Sequence, residues 1–140
     1  MFGLLKPTGV LAVQFPMNRD ESIHRIIDEV VSQIKWEFNN ADVEQSGVLS
    51  PSEYYDILSA LTDDFCVWET TYYHRMGSCR DLVEWVKGTR LRPYLNVLDD
   101  KGKKELEDEI ERRAKEEYKP QANGELVLRF RRFFFIATRK

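Results

Sequence analysis

Cysteine is scarce in this chain. Cys66 and Cys79 are the only two among 140 residues, and His24 and His74 are the only histidines. Two thiols cannot build a disulfide framework, and none of these four residues stands at a metal-ligand spacing from another. Glycine is also thinly spread. The seven glycines occur singly, so no glycine-rich loop joins a strand to a helix in the way that cradles a phosphate or a nucleotide. Long apolar runs are missing too: none approaches the roughly 18 residues that cross a bilayer, and no membrane association is expected. Met1 to Phe15 carries one lysine, Pro7 and no small-residue cleavage pattern, which argues against a secretory signal and for a cytoplasmic location. There is no excess of positive charge either. Lys+Arg 21 against Asp+Glu 24 leaves a net charge of −3, which argues against nucleic acid as a partner. No GxSxG elbow is present, and Cys66 lies far along the chain from either histidine. Covalent catalysis therefore has no visible carrier.

What remains is a globular composition, 42% hydrophobic and 32% charged, at a length that suits one domain spanning residues 1–140. Gly9 to Phe15 is a short apolar run between turn chemistry and Pro16, which suits a strand buried on both faces. From Asn18 the period changes: Ile23, Ile26, Ile27, Val30, Val31, Ile34 and Phe38 recur at helical steps, with Asn18 or Asp20 as the capping residue and Asn39-Asn40 as the end. A polar connector from Ala41 to Leu49 leads to Ser50-Pro51-Ser52-Glu53, a capping box opening a helix with Tyr54, Ile57, Leu58 and Leu61 inward. Phe65 to Arg75 reads as a strand. Ser78 opens another helix with Leu82, Val83, Trp85 and Val86 as its apolar set, ending near Gly88 before Pro93 interrupts. Asp99 to Tyr118 is a mostly solvated helix with a thin stripe of Leu106, Ile110, Ala114 and Tyr118, and Leu126 to Thr138 is the last strand. The order strand, helix, helix, strand, helix, helix, strand defines an α/β fold class.

Three clusters carry chemistry. Tyr72-Tyr73-His74-Arg75 offers phenol hydroxyls and an imidazole to carboxylates, although half-buried sheet residues with wet polar tips look the same. Arg90-Leu91-Arg92-Pro93 fits an anion clamp, because guanidinium forks match carboxylates, and it equally fits a solvated helix end. Arg129, Arg131, Arg132, Arg139 and Lys140 make the last strand basic. The acidic segment 99–118 just before it makes internal charge balance the simpler reading.

Several segments carry more than pattern. LLKPTGVLAVQFP, a Pro-x-Gly turn leading into an apolar strand, resembles the fifth-strand segment of S-adenosylmethionine-dependent class I methyltransferases. YYDILS, VWETTYYHRM, LVEWVKGTRLRPYL and the closing ANGELVLRFRRFFFIATRK resemble, in order and spacing, members of that family that act on small carboxylic acids. The resemblance covers nearly the whole chain. It implies the C-terminal half of a class I methyltransferase fold, a three-stranded mixed sheet in the order 5-7-6 whose last strand is central and antiparallel to both neighbours. The family's first strand, its glycine-rich loop and the acidic residue on the cofactor ribose precede the matching segments. By the resemblance, then, this chain is the truncated substrate-side part, binds no S-adenosylmethionine itself and is inactive alone. The alternative is a non-catalytic binding or interaction module derived from a methyltransferase.

Ligands of open α/β sheets sit outside the carboxyl ends of parallel strands. On the resemblance, Tyr73 and His74 at the end of the sixth strand, with Tyr55, Trp85 and Arg92 from covering helices, are the expected contacts of a small carboxylic acid. No catalytic, cofactor-binding or metal residue is expected. In the complete enzyme the methyl group goes to a carboxylate oxygen that is already nucleophilic, so positioning and charge handling suffice. Without a fourth strand beside it, residues 9–15 form an exposed apolar edge, and a homodimer through this strand is expected.

Overall fold

The computed structural model describes residues 2–38 and 47–140. The expected helix end at Asn39-Asn40 and the connector from Ala41 to Ser46 lie outside the described residues. The fold is α/β, with an open three-stranded sheet and flanking helices. Strand β1 is Val10–Pro16, β2 is Phe65–Met76 and β3 is Leu126–Thr138, ordered β1-β3-β2. The last strand is therefore central. β1 pairs with it antiparallel, from Val10 opposite Thr138 to Pro16 opposite Arg132. β2 is antiparallel to β3 as well: the Asp64 carbonyl at its start accepts from Thr138 N–H at 2.9 Å, and Arg75 near its end binds Glu125 at the other end of β3.

The described chain forms two compact units, one of Met1–Asn18, Gly47–Tyr72 and Phe130–Lys140, the other of Arg19–Ser46 and Tyr73–Arg129. The first holds β1. A tight turn leads into it: the Gly9 N–H binds the Lys6 carbonyl at 2.9 Å, and a Cβ on Gly9 would stand 2.8 Å from that same oxygen. Any side chain there would force the turn apart. β1 corrects the expectation of a strand buried on both faces. Its burial alternates, with Leu11, Val13 and Phe15 half-buried and Val10, Ala12, Gln14 and Pro16 exposed, because β1 is an edge strand packed on one face only.

That packed face meets helix α1, Pro51–Leu61. The Glu53 N–H donates to Ser50 Oγ at 3.3 Å and the Ser50 N–H donates to Glu53 Oε2 at 2.8 Å, which satisfies two otherwise orphaned donors. Leu58 is buried, and the Tyr54 ring lies 5.0 Å from Phe15 and 5.6 Å from Phe133. Ile57 and Leu61 do not point inward as expected; they are 47% and 50% exposed. The helix docks along the single line Tyr54–Leu58, which leaves its second apolar line uncovered.

The second unit is helical around its own core. Here α2 is Ser22–Val31, α3 is Cys79–Lys87, α4 is Arg92–Leu95 and α5 is Asp100–Glu117. Ile23, Ile26, Ile27 and Val30 of α2 share one hydrophobic cluster with Leu82, Val83 and Val86 of α3 and with Leu106, Ile110 and Ala114 of α5. α2 stops at Val31 instead of running on to Phe38. A short 3-10 turn at Ile34–Trp36 and a left-handed Glu37, φ 51°, redirect the chain. Phe38 still reaches that core, edge-on to Tyr94 at 5.0 Å. Helical spacing thus persisted in the sequence because the same core is being filled, by a different backbone. Pro93 sits in the first turn of α4, where no backbone N–H is needed. Trp85, expected inward, is 44% exposed, since α3 buries Cys79, Leu82, Val83 and Val86 instead.

Candidate carboxylate-binding residues

The cap of α2 is not the one expected. Glu21 is the N-cap residue and its side chain makes no cap hydrogen bond. The hydroxyl of Tyr118, just past α5, accepts the Ile23 N–H at 3.0 Å and donates to Glu21 Oε1 at 3.0 Å. Arg129 on β3 donates from Nε to Glu21 Oε2 at 3.2 Å. Burial first, and the Glu21 carboxylate second, push the Tyr118 hydroxyl above its ordinary range. The Arg129 guanidinium binds its proton more firmly than usual, chiefly through Glu21, and the field of Tyr73 also reaches it. Tyr73 itself is 67% exposed.

His74 is half-buried, and its ring lies 4.7 Å from that of Trp85, tilted by 39°. Successive strand residues point to opposite faces, so His74 and Tyr73 leave β2 in opposite directions. Arg92 is exposed at the first position of α4. Tyr55, on α1 in the other unit, is 52% exposed and packs edge-on against Phe65 at 5.1 Å. Of the five expected contacts, the described geometry pairs His74 with Trp85.

Arg90 adds a group that short-range pattern could not rank. Its Nη2 donates to Asp28 Oδ1, while its buried Nε has no hydrogen-bond partner among the described residues. His24 lies in the field of Arg90, Asp28 and Glu21, and burial first, then Arg90, lowers its affinity for a proton. A neutral imidazole beside a guanidinium can donate its N–H to a carboxylate without adding charge. Asp28 and Arg90 are 62 residues apart in sequence, and only the packing of α2 brings them together.

Among the described residues no group of three or more His, Cys, Asp or Glu side chains could hold a metal ion, and both cysteines are free thiols. The β1-to-α2 connection, Met17 to Glu21, has no glycine, and the β2-to-α3 connection has Gly77 alone. A Cβ at Gly77 would meet Asp81 Oδ2 at 3.0 Å, so that glycine serves the cap of α3. No helix among the described residues is long and apolar enough to cross a membrane.

An open α/β sheet with a central last strand and flanking helices is consistent with part of a methyltransferase fold. No family model matches the chain. Curated proteins do. The chain is 37% identical, over 99% of its length, to the trans-aconitate 2-methyltransferase of Methylobacterium radiotolerans, covering 55% of that protein. It is 39% identical over 94% of its length to the enzyme of that name from Afipia carboxidovorans, covering 52% of it. The Escherichia coli O157:H7 protein of the same name is 38% identical over 99% of the chain, with 54% of its own length covered. The chain is thus a relative of the trans-aconitate 2-methyltransferases and spans about half the length of those it matches.

Proposed function

We propose that this chain is the substrate-side part of a methyltransferase that acts on a small carboxylic acid of the trans-aconitate type. The observation that carries the proposal is the match along nearly the whole chain to proteins named for that reaction. The local chemistry supports it: guanidinium, phenol and imidazole groups recognise carboxylates. In this reading His74, Trp85 and Arg92 contact the acid, and Tyr73, which leaves β2 toward the opposite face, is a candidate contact apart from them. Tyr55 is a separate candidate contact, tested on its own by Tyr55→Phe. S-adenosylmethionine supplies the methyl group. Its site must be completed by residues other than those described here, so the 140 residues do not methylate alone. The residues of this chain bind and orient the acid and offset its charge; the attacking carboxylate oxygen needs no strong base. A cytoplasmic location belongs to the same proposal.

Titration calorimetry of the 140-residue chain tests it. Trans-aconitate should bind, with Arg92→Ala and His74→Ala each weakening it by about tenfold, which is ~1.4 kcal/mol. S-adenosylmethionine should give no heat. Micromolar binding of S-adenosylmethionine would sink the proposed division of labour. Absence of any carboxylate binding would instead favour a non-catalytic interaction module.

A further inference from the structure

Three buried side-chain nitrogens among the described residues have no hydrogen-bond partner: Trp36 Nε1, Arg90 Nε and Arg132 Nε. Folded chains pair the great majority of such groups, and a guanidinium cannot shed its proton to escape the penalty. Of the three, Arg90 also has a carboxylate on its fork, where Nη2 donates to Asp28 Oδ1. Nε and Nη2 form one edge of the guanidinium, and a carboxylate that fits this edge takes both with its two oxygens. The same chain shows that fit twice. Glu125 takes Arg75 Nε at 2.8 Å and Nη2 at 2.6 Å, and Glu109 takes Arg112 Nε at 3.1 Å and Nη2 at 3.0 Å. Both of those arginines are exposed, and water could serve them as well. The Arg90 side chain is only 18% exposed, yet Asp28 fills half of its edge.

Asp28 is also lightly held. Its side chain is 53% exposed, so the ion pair gains little and is given up easily. The charges that remain around Arg90 favour an anion. Burial and the field of Arg90 keep His24 neutral at pH 7, so it adds no charge of either sign, and Arg19 is a second cation acting on the same imidazole. Glu21, the other carboxylate in that field, is already held by Tyr118 and Arg129.

We propose that Arg90 receives a carboxylate of a small di- or tricarboxylic acid, with Asp28 as a resident stand-in that the ligand displaces. The two oxygens of the ligand take Nε and Nη2 together, as Glu125 does on Arg75, and Asp28 turns into water. A one-point contact is replaced by a two-point contact at a largely buried group, where each bond is stronger than in water. A ligand anchored elsewhere by a second carboxylate meets Arg90 at high effective concentration, so a polyacid displaces Asp28 where a monoacid does not. This inference deepens the function proposed above and rests on it for the identity of the acid.

Titration calorimetry of the 140-residue chain with trans-aconitate separates this role from a structural ion pair, because removing the two partners has opposite effects. Arg90→Met should weaken binding at least ~10-fold, and Arg90→Lys, which keeps the charge and loses the edge, should recover only part of it. Asp28→Ala removes the stand-in at an exposed helix position and should tighten binding by ~3-fold. Weakening by both removals, or no change from either, would overturn the proposal. Inorganic phosphate should not displace trans-aconitate; displacement at equal concentration would overturn the assignment to carboxylates. The contacts proposed at His74 and Arg92 fail separately. Where their alanine variants bind as the parent chain does while Arg90→Met and Asp28→Ala move in opposite directions, the Arg90 site stands and those contacts fall. Weakening by Arg92→Ala with both Arg90 and Asp28 variants unchanged gives the reverse, and absence of any tricarboxylate binding overturns both.

Discussion

Tyr118 shows what a single hydroxyl can organise. Its ring belongs to the apolar stripe of α5, while its oxygen closes the first turn of α2 and holds Glu21, 97 residues away. The stripe was readable from spacing; the cap was not, because no local pattern reports a partner at that separation. Asn18 and Asp20 were the better local candidates, and the tertiary partner prevailed over them. Tyr118→Phe keeps the ring and removes the oxygen. It should cost about 1.5–3 kcal/mol, the range for hydrogen bonds that involve a charged group, measured by urea unfolding. His24 makes a second residue-scale prediction. Its folded-state proton affinity lies below the ordinary 6.5, so the unfolded chain binds the extra proton more readily. Stability should therefore fall as pH drops through 6.5, and His24→Gln should flatten that part of the profile. A denaturant midpoint that rises on acidification through this range would contradict the assignment.

At the scale of elements, termini were more legible than faces. The Ser50–Glu53 capping box, the Asp99 start of α5 and the full extent of β3 follow from residue chemistry that acts locally. Faces depend on what a helix meets, which is why Ile57, Leu61 and Trp85 misled. Each is apolar at the right spacing, yet α1 and α3 dock along narrower lines than their apolar content allows. Ser50→Ala should destabilise α1 by about 1 kcal/mol, seen as reduced protection of the amides at its first turn. α5 carries its own acid sensitivity. Arg112, and with it Arg113, holds the Glu109 carboxyl at about 2, well below the ordinary 4.5. A carboxylate depressed in the folded state contributes stability above its unfolded value and loses it on acidification. The loss should run from pH 4.5 down toward 2, and Glu109→Gln should remove that part of the slope. The candidate contacts follow the same division. His74 and Arg92 stood out in sequence through their aromatic and arginine-rich surroundings, whereas Arg90 with Asp28 and Arg129 with Glu21 needed the packed chain.

At the scale of the whole molecule, the described residues form two hydrophobic clusters, one around Leu58, Phe133, Phe135 and Ala137, the other around α2, α3 and α5. Composition announced a core of adequate size without dividing it, since apolar residues from both clusters alternate along one chain. Phe133→Ala should cost about 3–5 kcal/mol and Ile27→Ala about 2–5 kcal/mol. Amide exchange should show the first loosening residues 51–61 before 100–117, and the second the reverse. Equal loosening of both segments by either substitution would show that the two clusters fail together. The same measurement exposes a property of β1 that its pairing creates. Leu11, Val13 and Phe15 direct their amides to β3 and should exchange slowly, while Val10, Ala12 and Gln14 should exchange at nearly the rate of open chain. One strand then carries two kinetic populations interleaved residue by residue, a comb whose fast teeth slow only when a neighbouring backbone closes over them.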